Sequence, residues 1–235
     1  MKLSVIIPVY NEENTVEKLL WRVLSEKTPK EIIVVDDGSK DKTRQILSEV
    51  QKQNKIVKVI LHSQNQGKGA AIRTGIACSK GDVLIIQDAD LEYDPNDYQK
   101  LLAPILEGES QVVYGTRLKE IKFKLFGDGR TPLPLHYLMN RFLSMLTNIL
   151  YGSKLTDMET CYKMMTREVY QGLNLVSNRF EIEPEITAKI LKRGYKIIEV
   201  PIKTKPRGYK EGKKIKAKDA LIAVLTLFKY FFYKG

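Results

Sequence analysis

Residues 84–95 read "LIIQDADLEYDP" and set four acidic side chains within seven positions, directly after an apolar run that should be buried. In an extended chain, alternation sends Asp88 and Asp90 to one side while Ala89 points away. Two carboxylates held that close repel each other, and without a counter-ion the pKa of one of them rises. A hard divalent cation, Mg2+ or Mn2+, removes the conflict and keeps coordination positions for phosphate oxygens. The pair therefore suggests a site for a metal-bound diphosphate; the alternative is a set of solvated loop acids. Asp94 precedes Pro95, and Asp at the N-cap with Pro at the first helical position is a helix start. Glu92 stays open between an outer ligand and a rim acid.

A second acidic pair, Asp36 and Asp37 in "VVDDGS", sits before Gly38, which permits a sharp turn. A carboxylate there can accept from the N–H edge of a nucleobase or from ribose hydroxyls. The same residues could instead form a turn and helix cap through Ser39 or Asp41. "GKGAAIRTG", residues 67–75, is neither a Walker loop nor the dinucleotide fingerprint, whose third glycine is replaced by Ile72. What remains is a turn with Lys68 feeding a helix N-terminus, a reasonable seat for phosphate or sugar oxygens. Arg73 and Arg117 are further cationic candidates, though a lone Arg is more often in a surface ion pair. Cys78 and Cys161 are too few for a disulfide framework or a zinc site and read as small buried thiols.

These residues need elements to hold them. "LSVIIPV", "EIIVVDD", "VKVILHS", "DVLIIQDAD" and "QVVYGTR" read as strands, several apolar on both faces. Helical spacing fills the intervals 13–26, 41–53, 68–79 and 95–107. This alternation predicts an α/β fold with a largely parallel, doubly wound sheet, on which ligands bind beyond the carboxyl ends of the strands. All five polar strand ends then face one rim. Further on, helices are expected near 135–151 and 181–193, strands at "CYKMM" and "YKIIEV", and an apolar helix at the end. Residues 1–200 read as a catalytic domain, and 201–235 as a basic loop with an amphipathic, membrane-proximal helix.

At 235 residues and 43% hydrophobic content the chain can bury a sizeable core. No segment approaches the ~20 apolar residues of a spanning helix, and the N-terminal apolar run is broken by Pro8 and followed by acids, so a cytoplasmic location is expected. The net charge of +11 calls for an anionic partner. Residues 203–218, "KTKPRGYKEGKKIKAK", carry eight Lys or Arg against Glu211, a net +7. The closing "DALIAVLTLFKYFFYKG" is aromatic and basic enough to lie at a headgroup interface. That argues for a peripheral protein on the cytoplasmic face of an anionic membrane, with core packing as the alternative for this segment and the favoured reading for 133–151. Nucleic acid is disfavoured, because Tyr209 alone among the tail's basic residues could stack on a base and the acidic strand ends would go unused.

Taken in order, "IIPVYNEE", "VVDDGSKDKT", "NQGKGAA", "QDADLEYDP" and "YGTR" resemble the family 2 glycosyltransferases, above all the polyprenyl-phosphate branch that makes dolichyl-phosphate mannose or glucose. The likeness covers about the first 120 residues closely and continues more loosely through "DMETCYKMM", "FEIEPE" and "PRGYKEGKKIKAKD". It implies the glycosyltransferase A fold and inverting transfer of a hexose from GDP-mannose or UDP-glucose to polyprenyl phosphate. Pro8, Tyr10, Glu12 and Asp37 would hold the nucleoside, and Asp88 and Asp90 a Mg2+ or Mn2+ ion on the diphosphate. Lys68 and Arg117 would lie near the donor phosphates or sugar, and Arg207 with Lys213 or Lys214 at the acceptor phosphate. Asp90, Arg117 and Asp157 form the expected catalytic set, Asp157 either contacting or activating the acceptor or capping a loop. A saccharide or protein hydroxyl is the alternative acceptor and would need a base. The chain departs from the family at Glu92, where Gln is frequent, and at "DMETCYK", where a Gly is usual.

Overall fold

The computed structural model describes residues 1–119, 134–205 and 217–233. The first half is a run of strand–helix units: β1 (Leu3–Val9), α1 (Val16–Ser25), β2 (Lys30–Asp36), α2 (Thr43–Gln53), β3 (Val57–Leu61), α3 (Lys68–Cys78), β4 (Val83–Ile86), α4 (Tyr98–Leu106) and β5 (Val112–Thr116). The second half adds α5 (Pro134–Tyr151), β6 (Lys163–Thr166), α6 (Arg167–Gly172), α7 (Ile182–Lys192), β7 (Ile197–Pro201) and α8 (Ala217–Phe232). The expected strands and helices are present; the short α6 was not anticipated.

The seven strands order as β3-β2-β1-β4-β6-β5-β7. All neighbours are parallel except β6, which runs antiparallel to both β4 and β5. β4 consists of four fully buried apolar residues, the pattern of a strand covered on both faces. Helices cover it with apolar stripes: α1 buries Val16, Leu19, Leu20 and Val23, one face at helical spacing. α3 lies closer still. A Cβ on Gly75 would come within 2.4 Å of the Ile6 side chain, so glycine there lets the helix rest on β1 and carries Lys68 to the strand ends.

Register shapes the rim. Val9 at the end of β1 pairs with Asp36 at the end of β2, whereas Ile86, the last residue of β4, pairs with Ile6. β4 thus stops three residues short of its neighbour, at the point where the strand order reverses, and leaves a crevice there. The expected strand "DVLIIQDAD" is correspondingly too long. The ladder ends at Ile86, Ala89 and Asp90 form a turn, and Leu91 has a φ of 63°, so strand alternation does not govern the two aspartates. Asp94 caps the short 3-10 turn Pro95–Asp97 by accepting from the Asn96 amide, as expected.

A second apolar cluster joins Leu143 of α5, Met158, Ala188 of α7, and Ala223, Leu227 and Tyr230 of α8. Met139, Leu146, Leu150 and Tyr151 of α5 pack against this cluster, but the other apolar residues of the helix depart from the core packing expected for 133–151. Leu135 is 72% and Ile149 71% exposed, and Leu138, Phe142 and Met145 are also exposed, because α5 touches its neighbours along one narrow stripe. α8 likewise exposes Leu221, Leu225, Phe228 and Phe232 on its outer side. No helix among the described residues is long and apolar enough to cross a membrane.

Candidate active site

A cavity of about 470 Å3 opens at the carboxyl rim of the sheet. Pro8, Tyr10 and Glu12 enter it from the end of β1, Asp37 from β2, and Lys68 from the first turn of α3. Asp88 and Asp90 enter from beyond β4 and Arg117 from beyond β5, while residues of α5, α7 and α8 close the opposite side. The rim argument thus brings the residues expected on the donor side to one space.

The structure separates the two acids that end β2. Asp36 is completely buried, paired with Arg44 at 2.7 Å, and accepts from the Ser39 amide; it does not line the cavity. Asp37 does. Its Oδ1 takes His62 Nδ1 at 2.8 Å and the Gln66 amide at 2.9 Å, and its Oδ2 takes the Gly67 amide at 2.7 Å. Asp37 therefore fixes the loop that delivers Lys68. Gly38 turns the chain at a φ of 76°, where an added Cβ would strike the Asn65 amide.

Asp88 is not left beside Asp90 without a counter-charge. Lys68 Nζ lies 2.8 Å from Asp88 Oδ1 and 3.0 Å from Glu183 Oε1, and Glu183 is also paired with Lys163. Charges alternate along Asp88, Lys68, Glu183 and Lys163, and the last two are buried. Burial opposes the Lys68 charge, but Asp88 and Glu183 outweigh it and hold the ammonium well above its ordinary pKa. Burial likewise opposes the Glu183 charge, and Lys163 and Lys68 reverse the balance to keep it ionised.

The chain brings hard oxygen donors from Asp88 and Asp90, and no group of three or more His, Cys, Asp or Glu positioned for a metal exists among the described residues. Two carboxylates suit a magnesium- or manganese-type ion that draws its other ligands from a diphosphate and water, rather than one held in an all-protein cage.

Arg117 rests on Asp157: Nε to Oδ2 and Nη2 to Oδ1 are both 2.7 Å, and the Arg117 amide adds a third bond to Oδ2 at 2.9 Å. Burial works against the guanidinium, and Asp157 more than compensates. The Asp157 side chain is 0% exposed and does not line the cavity. The sequence left Asp157 between contacting or activating an acceptor and capping a loop; here its carboxylate faces Arg117 and not the cavity. Both its oxygens accept hydrogen bonds from Arg117 and hold the guanidinium in place. Its own backbone is pinned in turn, since the amides of Thr156 and Asp157 donate to Glu199 of β7.

Arg207, Lys213 and Lys214 lie outside the described residues. Three site residues went unnamed in the sequence: Glu183, Lys163 and Glu159. The signal for Glu183 was a carboxylate among the buried positions of an apolar helix, which demands a cationic partner. Lys163 and Glu159 carried no such signal, because only the reversed direction of β6 brings its first residue and the loop before it toward this rim.

The family model described as Glycosyl transferase family 2 matches residues 4–173. A UDP-N-acetylglucosamine–dolichyl-phosphate N-acetylglucosaminyltransferase of Methanococcus voltae is 32% identical over 222 residues, covering 86% of this chain and 85% of that protein. A dolichyl-phosphate beta-glucosyltransferase of Trichomonas vaginalis is 29% identical over 215 residues, covering 85% of this chain and 64% of that one. Among solved structures, glucosyl-3-phosphoglycerate synthase from Mycobacterium tuberculosis, in complex with Mn2+, UDP and phosphoglyceric acid, superposes with a TM-score of 0.74 at 20% identity, covering 100% of this chain and 80% of that one.

Proposed function

The chain belongs to glycosyl transferase family 2, and from that premise we propose that it transfers glucose or N-acetylglucosamine from a UDP-sugar to a polyprenyl phosphate at a membrane surface. The observation that carries the reading is the gathering of Asp37, Lys68, Asp88, Asp90 and Arg117 around one cavity at the switch point of the sheet. The named activities of the two relatives support a lipid-phosphate acceptor and a glucose-type sugar. A GDP-mannose donor is the competing choice.

On this reading Pro8, Tyr10, Glu12 and Asp37 hold the nucleoside, and the diphosphate lies toward Asp88 and Asp90. A Mg2+ or Mn2+ ion held by these two aspartates would neutralise charge building on the leaving diphosphate. Lys68 contributes a fixed positive charge at the same place, already protonated by its contacts with Asp88 and Glu183. Arg117 is aimed by Asp157 at the phosphates or the sugar. The bond from the anomeric carbon to the diphosphate oxygen breaks with its electron pair leaving on the diphosphate, and a new bond forms to the acceptor phosphate oxygen. That nucleophile is anionic at neutral pH, so no base must remove a proton. This agrees with an Asp157 that is fully engaged elsewhere.

The acceptor side is supported by α5 and α8. Leu135, Met139 and Leu143 of α5 and Ala220 and Ala223 of α8 line the cavity, while the outer sides of both helices expose apolar residues. The basic segment 203–218 immediately precedes most of α8 in the chain. Each of its cations near an anionic bilayer is worth about 1 kcal/mol. A prenyl chain could then stay in the bilayer while its phosphate reaches the cavity.

The test is calorimetric titration of UDP-glucose, UDP-N-acetylglucosamine and GDP-mannose, with and without Mn2+, on the wild type and on Asp90→Ala. Metal-enhanced binding of a UDP-sugar, lost in the variant, is expected. Selective binding of GDP-mannose would move the donor to the mannosyl choice, and binding of none would overturn the reading.

A further inference from the structure

Glu159 stands in the loop between α5 and β6 and lines the cavity, yet its Oε1 is buried and has no hydrogen-bonding partner among the described residues. A buried acceptor left unpaired is unfavourable and uncommon in folded proteins. Neighbouring acids have counter-charges or donors at hand, although Glu183 Oε1, too, has an ion-pair partner but no well-aligned hydrogen bond. Asp157 is matched by Arg117, Glu183 by Lys163 and Lys68, and Asp37 by His62 and two backbone amides. Burial, with Glu183 and Asp157 adding to it against Lys163 and Arg117, pushes Glu159 up to about 7.

What Glu159 lacks is a donor, and the ligand proposed above has donors in few places. A diphosphate and a phosphate monoester present acceptor oxygens and negative charge, both unfavourable against an ionised Glu159, the form that predominates above about pH 7. The nucleoside is assigned to the β1 and β2 ends. The pyranose is the part rich in O–H groups, or in an amide N–H where it is N-acetylated. We infer that Glu159 is a specificity-determining residue, accepting a hydrogen bond from a hydroxyl or amide group of the transferred sugar. This rests on the transferase reading and extends it to the identity of the sugar.

Titrations of UDP and of UDP-glucose and UDP-N-acetylglucosamine in the presence of Mn2+, on the wild type, Glu159→Met and Glu159→Gln, separate the two ideas. Met keeps the volume and removes an unpaired buried acceptor, so the variant is expected to fold. In Glu159→Met, UDP should bind within about twofold of the wild type, while the preferred UDP-sugar weakens about tenfold to a hundredfold, the loss expected for one hydrogen bond to a charged group. Glu159→Gln retains an accepting oxygen and should recover most of that loss. Equal weakening of UDP and UDP-sugar, or no weakening of either, overturns the assignment while leaving the transferase reading intact. If only GDP and GDP-mannose bind the wild type, the same comparison is made with that pair. A wild type that binds no nucleotide or nucleotide sugar overturns both.

Discussion

Removing the Asp157 carboxylate leaves Arg117 charged in a place built to hold a pair. Three hydrogen bonds converge on that carboxylate, two of them at 2.7 Å from the guanidinium, and the Asp157 side chain is wholly buried. Breaking a buried pair by deleting one partner costs about 3–5 kcal/mol. The Arg117 side chain keeps 18% exposure through the cavity, so water can partly compensate and the lower end, about 3 kcal/mol, is expected for Asp157→Ala. Arg117→Met alone strands the carboxylate and should cost about as much. The double variant Arg117→Met/Asp157→Leu should lose clearly less than the sum, with a coupling of roughly 2 kcal/mol. Urea unfolding of the four proteins measures this directly. A coupling near zero, or an Asp157→Asn that unfolds like the wild type, binds donor normally and yet fails to turn over, would refute a positioning role and return Asp157 to direct chemistry.

Glu183→Gln leaves the completely buried Lys163 with a neutral partner, so urea unfolding should show a loss of about 3 kcal/mol, whereas Lys163→Met/Glu183→Leu should recover most of it. Folding raises the Glu159 pKa to about 7, so the folded state holds a proton that the unfolded chain has released above about 4.5. Its contribution to stability is therefore present at low pH and lost as pH rises toward 7. Relative to Glu159→Gln, the wild type should lose up to about 3 kcal/mol between pH 5 and pH 8, as read from unfolding at the two pH values. Phe142→Ser with Leu225→Ser should leave the melting temperature nearly unchanged, because both side chains are exposed, while co-sedimentation with anionic vesicles falls by tenfold or more. Unchanged co-sedimentation would remove these helices from any membrane contact.

The first half of the fold was legible because local signals and tertiary structure agree there. Apolar runs such as 83–86 end in polar residues, and a parallel sheet turns all of those ends toward one side. That rule alone puts the five polar strand ends on one rim; singling out Pro8, Tyr10 and Glu12 within them took the likeness to the family 2 glycosyltransferases. Partners were less legible than positions. Nothing in the spacing shows that Lys68 would reach from α3 to Asp88 and Glu183, or that Asp157 would lie under Arg117 instead of in the cavity. The contact of Arg117 with Asp157 depends on β6, a strand inserted against the direction of its neighbours, and direction leaves no mark on a four-residue strand. The outer surface of α5 was misjudged for a related reason: an apolar helix has the same composition whether its second face meets protein or another medium.

β6 also imposes an order of events on the growing chain. β1 to β4 pair among themselves, and all four have emerged by residue 86. β5 is made next, but its partners in the sheet are β6 and β7, both encoded later, so it has no edge to join until residue 163 or beyond has left the ribosome. Asp37, Asp88 and Asp90 can therefore take their places early, while Arg117 waits for Asp157 and Lys68 for Glu183. The apolar edges of β4 and β5 are exposed during that interval, which makes it the stage at which misassembly or chaperone capture would act on this chain.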